Sequence, residues 1–182
     1  SVAVVADAPD EPDSDRDPTP PGDVTISSAG TDDADRLADL WVDLAADQRR
    51  YGSHLEGGAN REAIHETMLR HAVTDTVRLA RRDGVVVGFV TFGVESGRYD
   101  QDVARGTIHN VYVDPSDRGE GIGGALLAAA ERELDSLGVG VVALEAMARN
   151  DAARSFYARH GYAPHRIELE KPINDDPLPD DA

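Results

Sequence analysis

The chain has 182 residues, enough for one domain with a sizeable core, and it carries no cysteine, which excludes disulfides, thiolate metal ligands and a cysteine acyl-enzyme. Its 35 Asp and Glu residues against 18 Lys and Arg give a formal net charge of −17. Because an acidic surface repels phosphate backbones and anionic lipid, we expect no nucleic-acid and no membrane partner.

Both ends of the chain are polar and contain few large apolar side chains. We therefore predict a disordered acidic segment at 1–22, one folded domain at 23–173 and an acidic tail at 174–182. The first residues lack a basic region, and the longest apolar stretch, Val85–Val94, is too short to span a bilayer. These features predict a cytoplasmic protein. They do not decide between a monomer and a homodimer.

The first part of the domain shows one short strand, two helical patterns and a hairpin. Apolar residues at i, i+3, i+4 and i+7 indicate the first helix, and an Asp-Gly pair between two β-rich runs indicates the hairpin turn. In chain order we predict a strand at Val24–Ser28, a helix through Leu37, Leu40, Trp41 and Leu44, a loop at Tyr51–Gly58, a helix at Asn60–Val73, and strands at Thr76–Ala80 and Val85–Val94 joined at Asp83-Gly84.

The second part alternates strands and helices. In chain order we predict a polar loop at 95–105, a strand at Thr107–Val113, a helix at Ile122–Leu137, a strand at Val141–Ala146, a helix at Asn150–His160 and a final strand at Tyr162–Glu170. The hairpins imply antiparallel neighbours, whereas the strand–helix–strand unit implies one parallel pair. The expected class is α+β, with a mixed, mostly antiparallel central sheet flanked by helices.

A glycine-rich turn, RGEGIGG at 118–124, separates a predicted strand from an amphipathic helix. Glycines let the backbone approach a ligand closely, and the N–H groups of a helix start bind anions such as a pyrophosphate. A tight turn that needs glycine only for its dihedral angles is the structural alternative. A P-loop is excluded, because no Lys-Ser/Thr follows the glycines.

Residues 119–124 also match G-x-G-x-x-G, with Glu145 near the end of the next strand, as a dinucleotide-binding fold would have. Two features argue against that fold. Four residues, 114–117, separate the strand from the glycines, and too few strand–helix units follow to complete a doubly wound sheet.

Two motifs resemble those of the GNAT acetyltransferases. Arg118-x-x-Gly121-x-Gly123 resembles the family's Arg/Gln-x-x-Gly-x-Gly/Ala signature, and the run from Asn150 through Phe156-Tyr157 resembles its second motif. The resemblance covers about residues 76–170. It implies acetyl-CoA as cosubstrate and transfer of the acetyl group to a primary amine by direct attack. No metal site is suggested, because His65, Glu66 and His71 are irregularly spaced on their predicted helix. A non-catalytic acyl-CoA-binding or regulatory module on the same fold is the alternative.

The resemblance also implies roles for individual residues. The pyrophosphate of coenzyme A would lie on the glycine turn, the pantetheine arm would pair with the strand before it, and the loop carrying Tyr51, His54 and Glu56 would shape the acceptor pocket. The implied cofactor-binding residues are Val111, Val113, Arg118, Gly119, Glu120, Gly121, Ile122, Gly123, Gly124 and Asn150. Asn150 could instead only cap the last helix.

Three side chains are candidates for the proton transfers. By resemblance Tyr157 donates a proton to the leaving thiolate, and Glu145 is the favoured base, with partial burial expected to raise its pKa. His109 is the second candidate base, since histidine titrates near neutral pH. Each has a structural alternative: a core tyrosine, a glutamate paired with an arginine, and a packed histidine.

The basic residues are almost all arginine, and Lys171 is the only lysine. An Asp-rich, Lys-poor composition resembles proteins of halophilic archaea, in which molar salt screens self-repulsion. The alternative is a solvated acidic face with disordered acidic ends.

Overall fold

The described part of the chain folds as strands and helices in the order β-α-α-β-β-β-α-β-α. The computed structural model describes residues 19–96 and 102–173. Its elements are β1 (Val24–Ser28), α1 (Ala34–Arg49), α2 (Gly57–Val73), β2 (Val77–Arg82), β3 (Val85–Val94), β4 (Arg105–Val113), α3 (Ile122–Ser136), β5 (Val141–Ala143) and α4 (Asp151–Arg159).

The strands form one sheet in the order β1-β2-β3-β4-β5. Every neighbouring pair is antiparallel except β4 and β5, which are parallel. The predicted α+β class, with a mixed and mostly antiparallel sheet, is therefore confirmed. So is the hairpin turn between β2 and β3, where Asp83 and Gly84 have φ values of 50° and 81°.

Helices cover both faces of the sheet. Helices α1 and α2 pack on one face, where Leu37, Leu40 and Leu44 are fully buried against residues such as Phe89 and Tyr112. Helices α3 and α4 pack on the other face. The predicted apolar stripe of α3 lies in that second core and consists of Ile122, Leu126, Ala130 and Leu134.

Two predicted strands differ most from the structure, whereas β2 and β4 differ from their predicted bounds by at most two residues. β5 ends at Ala143, three residues before the predicted end, and the predicted strand at Tyr162–Glu170 is wrong because that segment has no regular secondary structure. Its apolar residues Ile167 and Leu169 are 83% and 89% exposed. Alternation alone does not make a strand, since a strand also needs a neighbouring backbone to bond.

The predicted disordered segment and acidic tail fall mostly beyond the described residues. Residues 1–18 and 174–182 lie outside the structure's described ranges, as does 97–101 in the predicted polar loop.

Candidate active site

The parallel strands β4 and β5 separate soon after they meet. β4 pairs with β5 only from Arg105 to Thr107, opposite Val141 to Ala143. Beyond Thr107, no described residue continues the ladder on this side of β4. The remaining half of β4 therefore presents an open backbone edge, to which an extended ligand can add by main-chain hydrogen bonds.

A β-bulge lies where the open edge begins. In the ladder between β3 and β4, Thr91 faces Asn110 whereas Phe92 faces Ile108, so His109 is the extra residue. A bulge bends its strand and re-aims a side chain. The His109 ring lies on the α2 side of the sheet, and a Cβ added to Gly93 would lie 3.4 Å from its Nε2 atom.

The glycine turn lies at the far end of β4 and opens α3. Gly119 and Gly121 have φ values of 83° and 81°, a conformation that favours glycine. The first N–H groups of α3 have no partner within the helix, and a Cβ on Gly121 would meet no atom within 4 Å. Backbone donors and open space thus coincide here, as an anion cradle requires. Ile122, Gly123 and Gly124 form the buried first turn of the helix.

The side chain of Arg118 contacts the last residues of β4. Its Nε donates to the carbonyl of Val113 at 2.8 Å, and its guanidinium lies 5.4 Å from the Tyr112 ring centroid and 3.7 Å from Asp47. The side chain is therefore committed to β4 and α1. The Val113 carbonyl thus already accepts one hydrogen bond from this chain. Val111 is fully buried.

The carboxylates beside the glycine turn pair with an arginine that the sequence motifs did not identify. Arg82, at the end of β2, pairs with both Asp117 and Glu120. The Glu120 carboxylate would otherwise repel a pyrophosphate on the neighbouring N–H groups. The sequence does not indicate the contact between Arg82 and Glu120, because 38 residues separate the two.

Tyr157 and Asn150 place unused polar atoms beside the α3/α4 core. Tyr157 is 3% exposed, and Asn150 is fully buried. The Asn150 Oδ1 atom accepts from the Ala153 N–H at 3.0 Å, which confirms the cap. Within the described residues, neither Asn150 Nδ2 nor the Tyr157 hydroxyl has a hydrogen-bond partner. Buried polar groups are rarely left unpaired, so both atoms fit a site that a polar ligand completes.

Tyr157, His109 and Glu145, the candidates for proton transfer, differ in how deeply they are buried. Burial raises the pKa of Tyr157 well above its usual range, so the phenol keeps its proton at neutral pH. Burial lowers the pKa of His109, against the opposing effect of Glu95 and Glu145. The expected partial burial of Glu145 is wrong: its side chain is exposed, because β5 ends two residues before it.

A second histidine stands beside His109. The ring of His71, from the last turn of α2, lies 6.0 Å from the His109 ring. In the sequence, His71 stands out only as one of several irregularly spaced potential metal ligands on its helix.

In the predicted acceptor loop, the Nε2 atom of His54 lies 3.6 Å from a carboxylate oxygen of Glu170, in the segment after α4.

No group of three or more His, Asp or Glu side chains in 19–96 and 102–173 is arranged to hold a metal ion. Over the same ranges, none of the helices has the length and apolar character needed to cross a membrane.

Comparison with known proteins gives the family to which this fold belongs. The family model described as Acetyltransferase (GNAT) family matches residues 38–162, so this chain belongs to the GNAT acetyltransferases. The predicted family is thereby confirmed.

Two curated relatives are acetyltransferases. The mycothiol acetyltransferase of Sanguibacter keddieii is 33% identical over 148 residues, which are 78% of this chain and 43% of that protein. The aminoalkylphosphonate N-acetyltransferase of Salmonella typhimurium is 29% identical over 148 residues, 81% of this chain and 90% of that protein. The chain thus spans less than half the length of the first relative and nearly all of the second.

Solved structures agree on the fold. A GCN5-related N-acetyltransferase from Ralstonia eutropha has a TM-score of 0.66 and 26% identity, covering 82% of this chain and 98% of that one. A protein from Clostridium acetobutylicum described as a predicted acetyltransferase, solved with acetyl-CoA, has a TM-score of 0.64 at 16% identity, covering 82% of this chain and 96% of that one. At that identity the second match supports the fold alone.

Proposed function

We propose that this chain is an acetyl-CoA-dependent N-acetyltransferase that transfers the acetyl group to a primary amine by direct attack. One juxtaposition carries the proposal: the open edge of β4 runs from the bulge at His109 to the glycine turn, and a buried, unpartnered Tyr157 hydroxyl is available in the adjoining core. A module that only bound acyl-CoA would not need the phenol.

Some residues of the chain would hold acetyl-CoA, and others would transfer protons. The N–H groups of the glycine turn would hold the pyrophosphate, and the edge at Val111 and Val113 would hold the pantetheine arm, with Asn150 Nδ2 as a further donor. When bound, acetyl-CoA supplies the activated carbonyl and a thiolate leaving group. Tyr157 donates its proton to that departing sulfur.

We place the base at His109, in preference to Glu145. As the amine nitrogen bonds to the acetyl carbon and the carbon–sulfur bond breaks, the nitrogen must lose a proton. His109 is half-buried at the open edge, and its lowered pKa keeps it neutral and able to accept that proton. Glu145 is exposed and lies beyond the end of β5, outside the half-buried edge where His109 sits.

The test is release of free thiol from acetyl-CoA over a panel of amines, run in high KCl. The panel contains polyamines, amino acids, aminoglycosides, peptides with varied N-termini and aminoalkylphosphonates, the last because one relative is named for them. Amine-dependent thiol release supports the proposal. Binding of acetyl-CoA by calorimetry with no release for any amine would instead support the non-catalytic module.

The proposal includes a cytoplasmic location and an amine as the partner. Both rest on the sequence pattern and the family. Halophilic origin is a separate prediction, for which a salt experiment is given below.

A further inference from the structure

Two histidines from distant parts of the chain pack together at the start of the open edge. His71 lies in the last turn of α2, and His109 is the bulge residue of β4. Their ring centroids lie 6.0 Å apart with the planes tilted by 48°. Both side chains are half-buried, so each ring shields part of the other from water.

A chain of hydroxyl groups fixes which nitrogen of His71 carries the proton. The Thr74 hydroxyl donates to the Arg70 carbonyl at 2.9 Å, since a carbonyl only accepts. Thr74 must then accept from the Thr76 hydroxyl at 2.8 Å, and Thr76 in turn accepts from His71 Nδ1 at 2.7 Å. Neutral His71 therefore uses its one N–H on Thr76 and has none to donate to His109.

Two carboxylates near the histidine pair favour the protonated form of His109. Glu95, which follows β3, and Glu145, which follows β5, both raise the pKa of His109. Burial outweighs them and lowers it. Burial, with His109 and Arg70 adding to its effect, lowers the pKa of His71 from 6.5 to about 4, while a hydrogen bond to the backbone of Thr76 acts in the opposite direction.

We propose that His71 is a positioning residue for His109: its neutral ring keeps water from His109 and donates no proton to it, so that His109 stays neutral and ready to accept a proton. This inference rests on the function proposed above. In a chain with a net charge of −17, an imidazole beside two carboxylates would otherwise hold a proton more tightly.

The experiment compares His71→Ala, which opens the space beside His109, with His71→Phe, which keeps a ring that has no N–H. His65→Ala on the same helix is the matched control. Two readouts are taken on the full chain: NMR titration of each histidine ring, and the pH profile of kcat/KM for acetyl transfer.

In His71→Ala the titration midpoint of His109 should rise, and the limb on which activity falls at low pH should move upward. The ratio of kcat/KM at pH 8 to that at pH 6 should then increase at least about threefold, as expected when a general base is protonated at the lower pH. His71→Phe and His65→Ala should both match the unsubstituted chain. An unchanged His109 midpoint in a folded His71→Ala variant overturns the inference.

The unsubstituted chain provides a test that needs no variant to fold. His71 should titrate near pH 4 and carry its proton on Nδ1 when neutral. Titration at the ordinary pKa of about 6.5, or a proton on Nε2, overturns the inference. If the NMR results hold while no amine is acetylated, the packing of the two rings stands and the proposed function fails.

Discussion

Tyr157 has a hydroxyl group that costs stability and is proposed to serve catalysis. The group is buried without a partner, and such a group destabilises a fold by about 1–3 kcal/mol. Tyr157→Phe should therefore leave the melting temperature unchanged or raise it, while kcat falls on the order of 10- to 1,000-fold as a proton donor is lost. Steady-state kinetics and thermal unfolding measure the two effects.

Tyr162 is the matched control for that substitution. Its ring packs edge-on to Tyr157, but its hydroxyl donates to Glu131 at 2.6 Å. Tyr162→Phe should thus lower stability and leave kcat nearly unchanged. Equal kcat in Tyr157→Phe and the unsubstituted chain would remove Tyr157 from the mechanism.

The two candidate bases differ in their expected pH profiles. Because the pKa of His109 is lowered, His109 is neutral at pH 7 and becomes protonated only at lower pH, where kcat/KM should fall. His109→Gln should remove this limb and reduce kcat/KM on the order of 100-fold. Glu145→Gln should keep the profile of the unsubstituted chain. If instead Glu145→Gln flattens the acidic limb, the base is Glu145.

At the scale of elements, α3 offers a matched pair of glycines, one at each end. Gly121 and Gly138 have φ values of 81° and 80°, and neither would bring an added Cβ within 4 Å of another atom. Alanine at either position should cost about 1 kcal/mol of backbone strain. Only Gly121→Ala should also weaken acetyl-CoA binding, because its Cβ enters the anion cradle. Calorimetry that shows equal affinity for both variants would place the cradle elsewhere.

The junction of α2 and β2 should respond to acid through His71. Its pKa is lowered from 6.5 to about 4 in the folded protein, so the unfolded chain binds the proton first as the pH falls. The stability that His71 contributes is complete above pH 6.5 and is lost between pH 6.5 and 4. In urea unfolding at pH 7 and pH 5, the loss should be smaller for His71→Phe. Equal losses would mean that His71 titrates normally.

Local signals predicted elements well, whereas contacts between distant elements needed the structure. The Asp83-Gly84 turn and the stripe of α3 follow from turn chemistry and periodicity, which neighbouring residues decide. The strand at Tyr162–Glu170 failed because alternation does not supply a partner strand. The His71–His109 contact depends on how α2 packs against β4, and neither residue's neighbours in sequence encode it.

At the scale of the whole molecule, charges of both signs meet at the surface. Arginines bridge carboxylates on separate elements, as Arg61 of α2 does with Asp35 and Asp39 of α1. Such exposed pairs contribute little, typically about 0–1 kcal/mol, and salt weakens them. The remaining carboxylate excess repels itself, and salt weakens that repulsion too. The two effects of salt therefore oppose each other.

We expect relief of repulsion to prevail, since carboxylates exceed basic groups almost twofold, 35 against 18. The screening length falls from about 10 Å at 0.1 M to about 3 Å at 1 M salt. The melting temperature should thus rise steadily as KCl increases to molar concentrations. Asp32→Asn, Glu62→Gln, Glu66→Gln and Asp135→Asn together remove four exposed negative charges, and the combined variant should show a shallower rise. A melting temperature that is flat across the range would overturn the halophilic interpretation, because the acidity would then have no role in stability at high salt.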